Sequence, residues 1–316
     1  MPVLRSALLA LSRNRSLRSF CETSSIGSRL SRRFVAGMLP MDALSAAQSV
    51  NRQGMAVTLD ALGESVTSEA EAQKAAEVYH ELLDMIAALK LEANISVKLT
   101  QMGLNLGPPT GVGQSPALAE SIARSLAQHA HSIGSFVRID MEDSRLTQVT
   151  LDIVRRIHAR PETRDAIGVV IQAYLYRSQA DVEQLLAEGI RIRLCKGAYN
   201  EPPEVAFPHK SAVDASYIRL ARLLLDSPIF HGIATHDPAM IEATKQFAAQ
   251  HAIDPSRFEF QMLYGVRRDL QRQLIEQGYR VRVYVPFGTA WYPYFMRRLA
   301  ERPANMLFLA KNFFRS

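Results

Sequence analysis

From residue 55 onward the sequence repeats one pattern eight times: an apolar run of strand length, then polar residues, then a helical pattern. The predicted strands cover residues 55–59, 95–99, 136–141, 167–173, 190–195, 232–235, 258–262 and 281–285. The helical patterns between them cover residues 69–91, 117–133, 146–159, 179–187, 212–225, 238–251 and 268–277, and a last helix follows the eighth strand. Such alternation predicts parallel strands with crossover helices. A count of eight favours a closed (β/α)8 barrel over an open sheet.

The length of the chain agrees with one barrel and a short extension. A (β/α)8 barrel needs roughly 250 residues, and the chain has 316, of which 47% are hydrophobic. We assign residues 53–316 to the barrel and residues 1–52 to an N-terminal helical extension packed on it. The first 40 residues are rich in arginine and serine, but Glu22 interrupts the basic run, so an amphipathic helix is preferred to a transit peptide. Asp42 is predicted to cap a helix over residues 43–50.

Charge and cysteine content limit the class of protein. The net charge of +6 is mild and dispersed. It fits an anionic cofactor or loose contact with anionic lipid better than a nucleic-acid platform. Cys21 and Cys195 are far apart and match no metal-ligand spacing, which favours a reduced, cytoplasmic-type protein. No apolar run reaches the roughly 20 residues of a membrane-spanning helix.

The eighth strand and the helix after it contain the first candidate site. Val281, Val283 and Val285 alternate with polar or aromatic residues, as a strand requires. In the helix that follows, a tyrosine lies three and four residues before two adjacent arginines, so these side chains can share a face. The three residues are Tyr294, Arg297 and Arg298. They could bind a small molecule with a flat carbon face and a carboxylate, or they could be a solvated helix end in which Glu301 pairs with an arginine.

The carboxyl ends of the strands, where barrel enzymes carry their active sites, are rich in charged and amide side chains. The residues at these ends are Asp60, Lys98, Thr100, Asp140, Glu142, Asp143, Gln172, Tyr174, Arg193, Lys196, Thr235, His236, Asp237, Glu259, Gln261, Tyr264 and Tyr284. No G-x-x-x-x-G-K-[ST] loop or strand-linked G-x-G-x-x-G turn is present, so a bound dinucleotide is not held by a Rossmann turn. The glycine-rich stretch 101–116 is either a mobile lid or a surface loop.

Several chemistries remain open from these residues alone. Asp140, Glu142 and Asp143 could bind a hard cation such as magnesium, although the basic side chains around them would repel it. Lys98 or Lys196 could form a Schiff base, as in a barrel aldolase or lyase. A third alternative is a non-catalytic barrel that docks at membranes through basic N-terminal helices. A histidine at the end of the sixth strand could act as a base, but more often has a hydrogen-bonding role.

Six motifs that follow one another along the barrel resemble those of the proline dehydrogenase family. They are VKLT (97–100), RIDMED (138–143), RLCKGAYNEP (193–202), ATHD (234–237), FEFQMLYG (258–265) and YPYFMRRLAE (292–301), and TLDALGES (58–65) adds to them. The resemblance extends over essentially the whole chain. It implies a distorted (β/α)8 barrel whose last helix lies over the barrel mouth. It also implies an FAD-dependent enzyme that oxidises L-proline to Δ1-pyrroline-5-carboxylate and passes the electrons to a membrane quinone.

The resemblance also implies roles for individual residues. The implied substrate-binding residues are Lys98, Leu263, Tyr284, Tyr294, Arg297 and Arg298. The implied cofactor-binding residues are Met141, Gln172, Arg193, Lys196, Gly197, Ala198, Thr235 and His236. Asp140 and Arg193 are the implied catalytic residues. Asp140 would position Lys98 or an arginine, and Arg193 would stabilise negative charge on the reduced flavin. Cys195 departs from the family, where aliphatic residues are common, and is expected to act as a small hydrophobe.

The same resemblance implies partners and a cellular location. A separate pyrroline-5-carboxylate dehydrogenase chain would carry out the second step of proline breakdown, because no aldehyde dehydrogenase domain is evident in the sequence. No nucleic-acid partner is expected. The expected location is the cytoplasm, with peripheral contact to the inner face of the membrane as one option.

Overall fold

Eight parallel strands close into a barrel in the order in which they occur along the chain. The structure, a computed structural model, describes residues 33–63, 66–106, 116–292 and 294–296. The strands are β1 (Ala56–Ala61), β2 (Ala93–Val97), β3 (Val137–Ile139), β4 (Ile167–Gln172), β5 (Arg191–Cys195), β6 (His231–Ala234), β7 (Phe258–Leu263) and β8 (Arg280–Phe287). Pairing of β1 with β8, from Ala56 beside Arg282 to Ala61 beside Phe287, closes the barrel. The predicted α/β barrel is confirmed.

Helices flank the strands and cover the outside of the barrel. They are α1 (Pro40–Asn51), α2 (Glu69–Ala88), α3 (Pro116–Ser132), α4 (Thr147–His158), α5 (Ser178–Ala187), α6 (Lys210–Asp226), α7 (Pro238–Gln250) and α8 (Arg268–Glu276). Short 3₁₀ turns, Ser144–Leu146, Arg164–Ala166 and Pro255–Arg257, precede α4, β4 and β7. Every helix predicted between two strands is present. None of the helices described here is long and apolar enough to cross a membrane.

Strand β8 shows how the period of two sorts side chains between the two barrel faces. Val281, Val283 and Val285 are buried in the main apolar core. Arg282 and Tyr284 point the other way. The Tyr284 hydroxyl donates a hydrogen bond of 2.7 Å to Asp140, which follows β3. Because β3 and β8 are not neighbours in the sheet, this bond crosses the barrel interior.

The barrel interior is polar over much of its depth, in contrast to the branched aliphatic filling common in such barrels. On the amino side, Arg282 donates to Glu259 at 2.7 Å, and Gln261 donates to Glu259 at 2.6 Å. Gln261 in turn accepts a hydrogen bond from Arg193 on β5. A continuous set of hydrogen bonds therefore connects the amino side of the barrel to the side chains at its mouth.

Helix α1 occupies the outer position beside β8 and β1. Its residues Ala43, Leu44, Ala47 and Val50 belong to the main core. The prediction that Asp42 is the N-cap is wrong: the N-cap is Leu39, and Asp42 lies in the first turn. The Asp42 carboxylate accepts 3.0 Å hydrogen bonds from the backbone N–H groups of residues 38 and 39. A carboxylate in the first turn can reach back to the N-cap backbone as the third residue of a capping box does.

A second apolar cluster lies at the mouth end of β8. It joins Phe34 and Val35 to Trp291 and Phe295, and the Phe34 and Phe295 ring centroids are 6.0 Å apart. Residues 291–292 and 294–296 are helical. The 33–37 segment is held to this end of the barrel by the bonds Ala36 N to Pro286 O and Gly288 N to Gly37 O, both 2.9 Å. The chain after β8 therefore begins at the mouth, where the resemblance expects it.

Two predictions fall partly or wholly on other parts of the chain. The rest of the predicted last helix, from residue 297, and residues 1–32 of the predicted N-terminal extension lie outside the described residues. The glycine-rich stretch 101–116 is described only at its ends. Its first part is packed rather than exposed: Met102 and Leu104 are buried, and Gln101 donates a 2.9 Å hydrogen bond to the Ala61 carbonyl.

Candidate active site

A cavity of about 450 Å³ opens at the carboxyl ends of the strands. Its walls combine apolar side chains with a ring of charged and amide groups. The lining residues are Asp60, Lys98, Asp140, Met141, Val170, Gln172, Arg193, Cys195, Lys196, Gly197, Ala198, Tyr199, Ala234, Thr235, His236, Asp237, Gln261, Met262, Leu263, Tyr284 and Tyr294. Such a volume is typical of a small-molecule or cofactor site.

Arg193 occupies the centre of this site with its guanidinium fixed on several sides. The residue is 5% exposed. Its Nη1 donates to Asp140 at 2.9 Å and to Ser96 at 3.0 Å, and its Nε donates to Gln261. The Arg193 guanidinium also lies 5.3 Å from the centroid of the Tyr284 ring. A buried guanidinium that several hydrogen bonds hold in place is a preorganised positive charge. It can act on a bound group without having to rearrange first.

Asp140 connects three elements of the site. One carboxylate oxygen accepts from Arg193 and, at 2.7 Å, from the Ser96 hydroxyl. The other oxygen accepts from the Tyr284 hydroxyl and lies 3.8 Å from the Lys98 ammonium. Burial first, and then the nearby carboxylates Asp140 and Asp60, raise the pKa of Tyr284 well above its usual value. The Tyr284 hydroxyl therefore stays protonated at neutral pH and acts as a donor, not as a base.

Lys98 is held by a second buried carboxylate, which sequence reasoning noted at a strand end but did not include in the site. The Lys98 ammonium donates to both oxygens of Asp60, at 3.2 and 3.3 Å. Asp60 is 1% exposed, and the Tyr79 hydroxyl donates to it at 3.5 Å. Asp60 and Lys98 each lie at the end of a strand, and β1 and β2 are neighbours in the barrel. This adjacency is the signal that could have identified the pair.

The four charges at the base of the cavity sum to zero. Asp60 and Asp140 supply two negative charges, and Lys98 and Arg193 supply two positive charges. An anionic substrate group entering here would meet no net attraction from this set. The predicted carboxylate-binding arginines, Arg297 and Arg298, lie outside the described residues.

The β4–β6 side of the cavity is built from backbone and amide groups. The Gln172 side chain donates to the Glu142 carbonyl at 2.8 Å and accepts from Ala198 N at 3.4 Å. Gly197 has a φ of +120°, and a Cβ there would lie 2.5 Å from the Tyr174 ring. Only glycine fits this close approach. The loop after β5 therefore presents its backbone to the cavity.

Lys196 and His236, which also line the cavity, have structural partners. Lys196 donates to Asp237 at 2.7 Å and also to Asp214. His236 Nε2 accepts a 2.8 Å hydrogen bond from the backbone N–H of Leu263. The histidine at the end of β6 thus supports the end of β7, a hydrogen-bonding role and not that of a free base.

Comparison with known proteins identifies the family. The model of the family described as proline dehydrogenase matches residues 43–311. Proline dehydrogenase 1 of Bacillus subtilis subsp. natto is 43% identical over 310 residues, which cover 98% of each chain. The proline dehydrogenase of Deinococcus radiodurans is 40% identical over 282 residues, 89% of each chain. The chain belongs to the proline dehydrogenase family.

The fold agrees with that membership. The crystal structure of proline utilization A from Bdellovibrio bacteriovorus, inactivated by N-propargylglycine, is similar with a TM-score of 0.78 and 28% identity. The similarity covers 86% of this chain and 32% of that one. As a proline dehydrogenase, the chain is an oxidoreductase that acts on CH–NH donors.

The geometry can be compared with the other chemistries left open by the sequence. Among the described residues, no three His, Cys, Asp or Glu side chains are grouped to hold a metal ion. Glu142 instead accepts from Thr100 at 2.5 Å, and Asp143 from Arg145 at 2.7 Å. A Schiff-base lysine needs a free amine to attack a carbonyl, whereas the Lys98 ammonium lies between the carboxylates of Asp60 and Asp140, at 3.2 and 3.8 Å.

All the predicted site residues within the described part of the chain line one cavity. Their individual roles remain predictions. Among the charged and amide side chains that line it, three were not assigned a role from the sequence, namely Asp60, Asp237 and Gln261. Each stands at or near the end of its strand and contacts one cation of the site. Asp60 pairs with Lys98, Asp237 pairs with Lys196, and Gln261 accepts a hydrogen bond from Arg193.

Proposed function

We propose that the protein oxidises L-proline to Δ1-pyrroline-5-carboxylate with FAD and passes the electrons to a membrane quinone. The observation that carries this proposal is the buried, multiply bonded guanidinium of Arg193 at the base of the mouth cavity. A fixed positive charge there favours a reaction in which negative charge develops on a bound group. Membership of the proline dehydrogenase family supports the choice of substrate.

The residues that line the cavity from the end of β3 to β7 fit FAD. Met141, Val170 and Met262 offer apolar surface for a flat ring system. Gln172 can contact polar ring atoms, and the backbone at Gly197, where a side chain would collide with Tyr174, can approach a ligand closely. The charge of Lys196 is already balanced by two carboxylates, so we expect it to orient the loop more than to neutralise phosphate. Bound FAD would supply a two-electron oxidant for the C–N bond.

The remaining residues would bind and orient proline. Lys98 donates to Asp60 and can turn a further N–H toward a substrate carboxylate, with Arg297 and Arg298 as the expected main ligands. Tyr284 and Tyr294, together with Leu263, offer apolar surface for the pyrrolidine ring. Holding the carboxylate at one end and the ring against these side chains would reduce the entropic barrier to reaction. Proline loses its amine proton before oxidation, and solvent can accept it.

The absorption spectrum of the purified protein tests this proposal. We expect the full-length protein to bind FAD and its yellow colour to bleach when L-proline is added without oxygen. L-prolinamide, which lacks the carboxylate, is the matched control and should bleach the protein far more weakly. A protein that does not take up FAD, or one that L-proline leaves oxidised, would overturn the proposal.

An inactivation experiment gives a second and independent test. N-propargylglycine, the compound named for the Bdellovibrio structure, carries a secondary amine and a carboxylate, as proline does. We expect it to inactivate this protein in a way that dialysis does not reverse, and excess L-proline to slow the inactivation. Inactivation at the same rate with and without L-proline would contradict a shared binding site.

The electron acceptor and the next enzyme follow from the same proposal. We expect proline-dependent reduction of a water-soluble ubiquinone analogue by the isolated protein. The product would then pass to a pyrroline-5-carboxylate dehydrogenase on a separate chain. Reduction of artificial dyes but of no quinone would leave the dehydrogenase assignment intact and remove the quinone assignment.

A further inference from the structure

Below Arg193, a buried carboxylate deep in the barrel has no part in the proposed reaction. It belongs to Glu259, the second residue of β7. Gln261 lies two residues further along the same strand, so both side chains point into the barrel. Arg282 on β8 donates to the Glu259 carboxylate at 2.7 Å. Glu259 does not line the mouth cavity, so any effect it has on the reaction must pass through another side chain.

The hydrogen bonds around Gln261 allow only one orientation of its amide. A guanidinium N–H can only donate, and an ionised carboxylate can only accept. The Gln261 NH₂ group therefore donates to Glu259, at 2.6 Å, and the Gln261 carbonyl oxygen accepts from Arg193 Nε. If the side chain at position 259 could also donate, the amide could turn round and set its NH₂ group against Arg193. The charge of Glu259 thus decides which end of the amide faces Arg193.

Glu259 keeps that charge although it is buried. Burial by itself would raise the pKa of Glu259. The charge and hydrogen bond of Arg282, the hydrogen bond from Gln261 and the charge of Arg138 outweigh burial and lower that pKa. The side chain is therefore a carboxylate at neutral pH and accepts hydrogen bonds only.

The barrel wall leaves space for the Gln261 amide at one position. Gly232 on β6 pairs with Arg193 on one side and with Glu259 on the other. A Cβ on Gly232 would collide with Gln261 Nε2. Gly232 has no positive φ, so glycine is needed there for space and not for an unusual backbone conformation. The amide fills the place that a side chain at position 232 would take.

The bond from Gln261 fixes one edge of the Arg193 guanidinium. The other edge is held through Nη1, which donates to Asp140 and Ser96. With both edges bonded, the plane of the guanidinium is set. With Nε unbonded, the guanidinium could rotate about its contacts with Asp140 and Ser96. A cation stabilises developing negative charge best when its position is fixed before the reaction.

We propose that Glu259 is a positioning residue for the redox step: it orients the Gln261 amide and, through that amide, the plane of the Arg193 guanidinium. Glu259 itself contacts neither proline nor the bound cofactor. The inference rests on the proposed function, because it takes Arg193 to face a flavin on which negative charge develops. An anion deep in the barrel thus makes a cation at the mouth more effective.

The flavin midpoint potential of the FAD-loaded protein separates orientation from charge, because the two predict shifts of opposite sign. Removal of a nearby negative charge, by itself, favours a flavin that becomes anionic on reduction and raises the potential. A guanidinium that is no longer held in place stabilises that anion less, so we expect Glu259→Gln to lower the potential. The expected shift is about 30 mV, a tenfold loss in the two-electron equilibrium constant. A rise in the potential would overturn the proposal.

Gly232→Ala displaces the same amide without a change of charge. The added methyl group meets the far end of the Gln261 side chain, which can move, and the potential should fall as in Glu259→Gln. This variant carries the test even where loss of a buried ion pair unfolds Glu259→Gln. Asp181→Asn is the matched control: it removes a buried carboxylate that Arg177 contacts at 2.7 Å on the outer helix α5, and the potential should not change. An unchanged potential in Gly232→Ala would overturn the proposal.

A double-variant cycle tests whether Glu259 acts through Gln261. Glu259→Gln should slow flavin reduction about tenfold at saturating L-proline, as expected for one hydrogen bond to a charged group, and leave the proline dissociation constant unchanged. In a protein that already carries Gln261→Met, it should slow reduction no further. The same tenfold effect in both backgrounds would mean that Glu259 acts without the amide, and would overturn the proposal.

The flavin-free protein gives a readout that does not depend on the proposed function. The NMR signal of Arg193 Nε–H, identified by its loss in Arg193→Lys, should exchange slowly with solvent in the wild type and at least tenfold faster in Glu259→Gln. Equally slow exchange in both would overturn the proposal even if the protein binds FAD. Faster exchange in a protein that takes up no FAD would instead remove the proposed function, and with it the redox role, while confirming that Glu259 orients Arg193.

Discussion

The buried pair of Asp60 and Lys98 allows a structural role and a substrate-binding role to be measured separately. At the 3.2 Å separation of the two side chains, their Coulomb energy is about 5 kcal/mol for an effective dielectric constant of 20. Lys98→Met removes the ammonium with little change in volume and leaves the buried Asp60 carboxylate without that cation. We expect a loss of about 3–5 kcal/mol in the free energy of unfolding. At about 2 °C per kcal/mol, this lowers the thermal midpoint by roughly 6–10 °C.

The double variant Asp60→Asn with Lys98→Met should recover most of this stability, because it leaves no uncompensated charge. Proline binding should stay weak in both variants, because both lack the Lys98 ammonium. Thermal unfolding followed by circular dichroism gives the first quantity, and proline-dependent bleaching gives the second. Lys74→Met, at an exposed position of α2, controls for a lost lysine and should change stability by less than about 0.5 kcal/mol. A double variant no more stable than Lys98→Met would refute the reasoning.

Three further predictions address pH, the loop after β5 and the last helix. Burial and, second, the charge of nearby Arg138 lower the pKa of His231 to about 3. As the pH falls, this histidine therefore takes up a proton in the unfolded chain before it does so in the folded one. The contribution of His231 to the free energy of unfolding is therefore fully present above pH ~6.5 and is lost toward pH 3. The loss amounts to about 2 kcal/mol at pH 5. Denaturant midpoints measured at pH 7 and pH 5 should show this loss in the wild type and not in His231→Gln. Gly197→Ala should weaken FAD retention through about 1–3 kcal/mol of strain, whereas Gly134→Ala, also at positive φ but with open space around it, should keep a normal flavin-to-protein absorbance ratio. Arg297→Met or Arg298→Met should weaken proline binding about 10- to 100-fold, from the loss of a charged hydrogen bond, while FAD stays bound; unchanged proline affinity in both variants would remove the carboxylate-binding assignment.

The fold could be predicted from the sequence because its decisive signals are local. The alternation around Val283 requires a strand, and in the structure the strand extends from Arg280 to Phe287. Each apolar run ends in polar residues that mark the carboxyl end, and the barrel architecture then brings those ends together. Boundaries differ by one or two residues, because strand ends depend on pairing with neighbours that no single segment specifies.

Other features of the site could not be predicted because they depend on how distant elements meet. Asp60 was visible as a strand-end residue, but its pairing with Lys98 requires that β1 and β2 lie side by side. Gln261 supports Arg193 only because both point into the barrel. The interpretation of Asp42 as an N-cap failed for a local reason: the helix starts three residues earlier than predicted, at Pro40.

The electroneutral base of the cavity limits how a proline dehydrogenase of this kind can bind its substrate. Asp140 takes up the charge of Arg193, and Asp60 takes up that of Lys98. These pairs keep the cations in place when no substrate is bound, but they provide no net attraction for a carboxylate. The attraction must come from cations beyond the four buried charges, and the sequence offers two neighbouring arginines in the last helix. We therefore expect the barrel interior to hold Arg193 in position for the redox chemistry, and Arg297 and Arg298, which lie outside the described residues, to confer affinity for the amino acid.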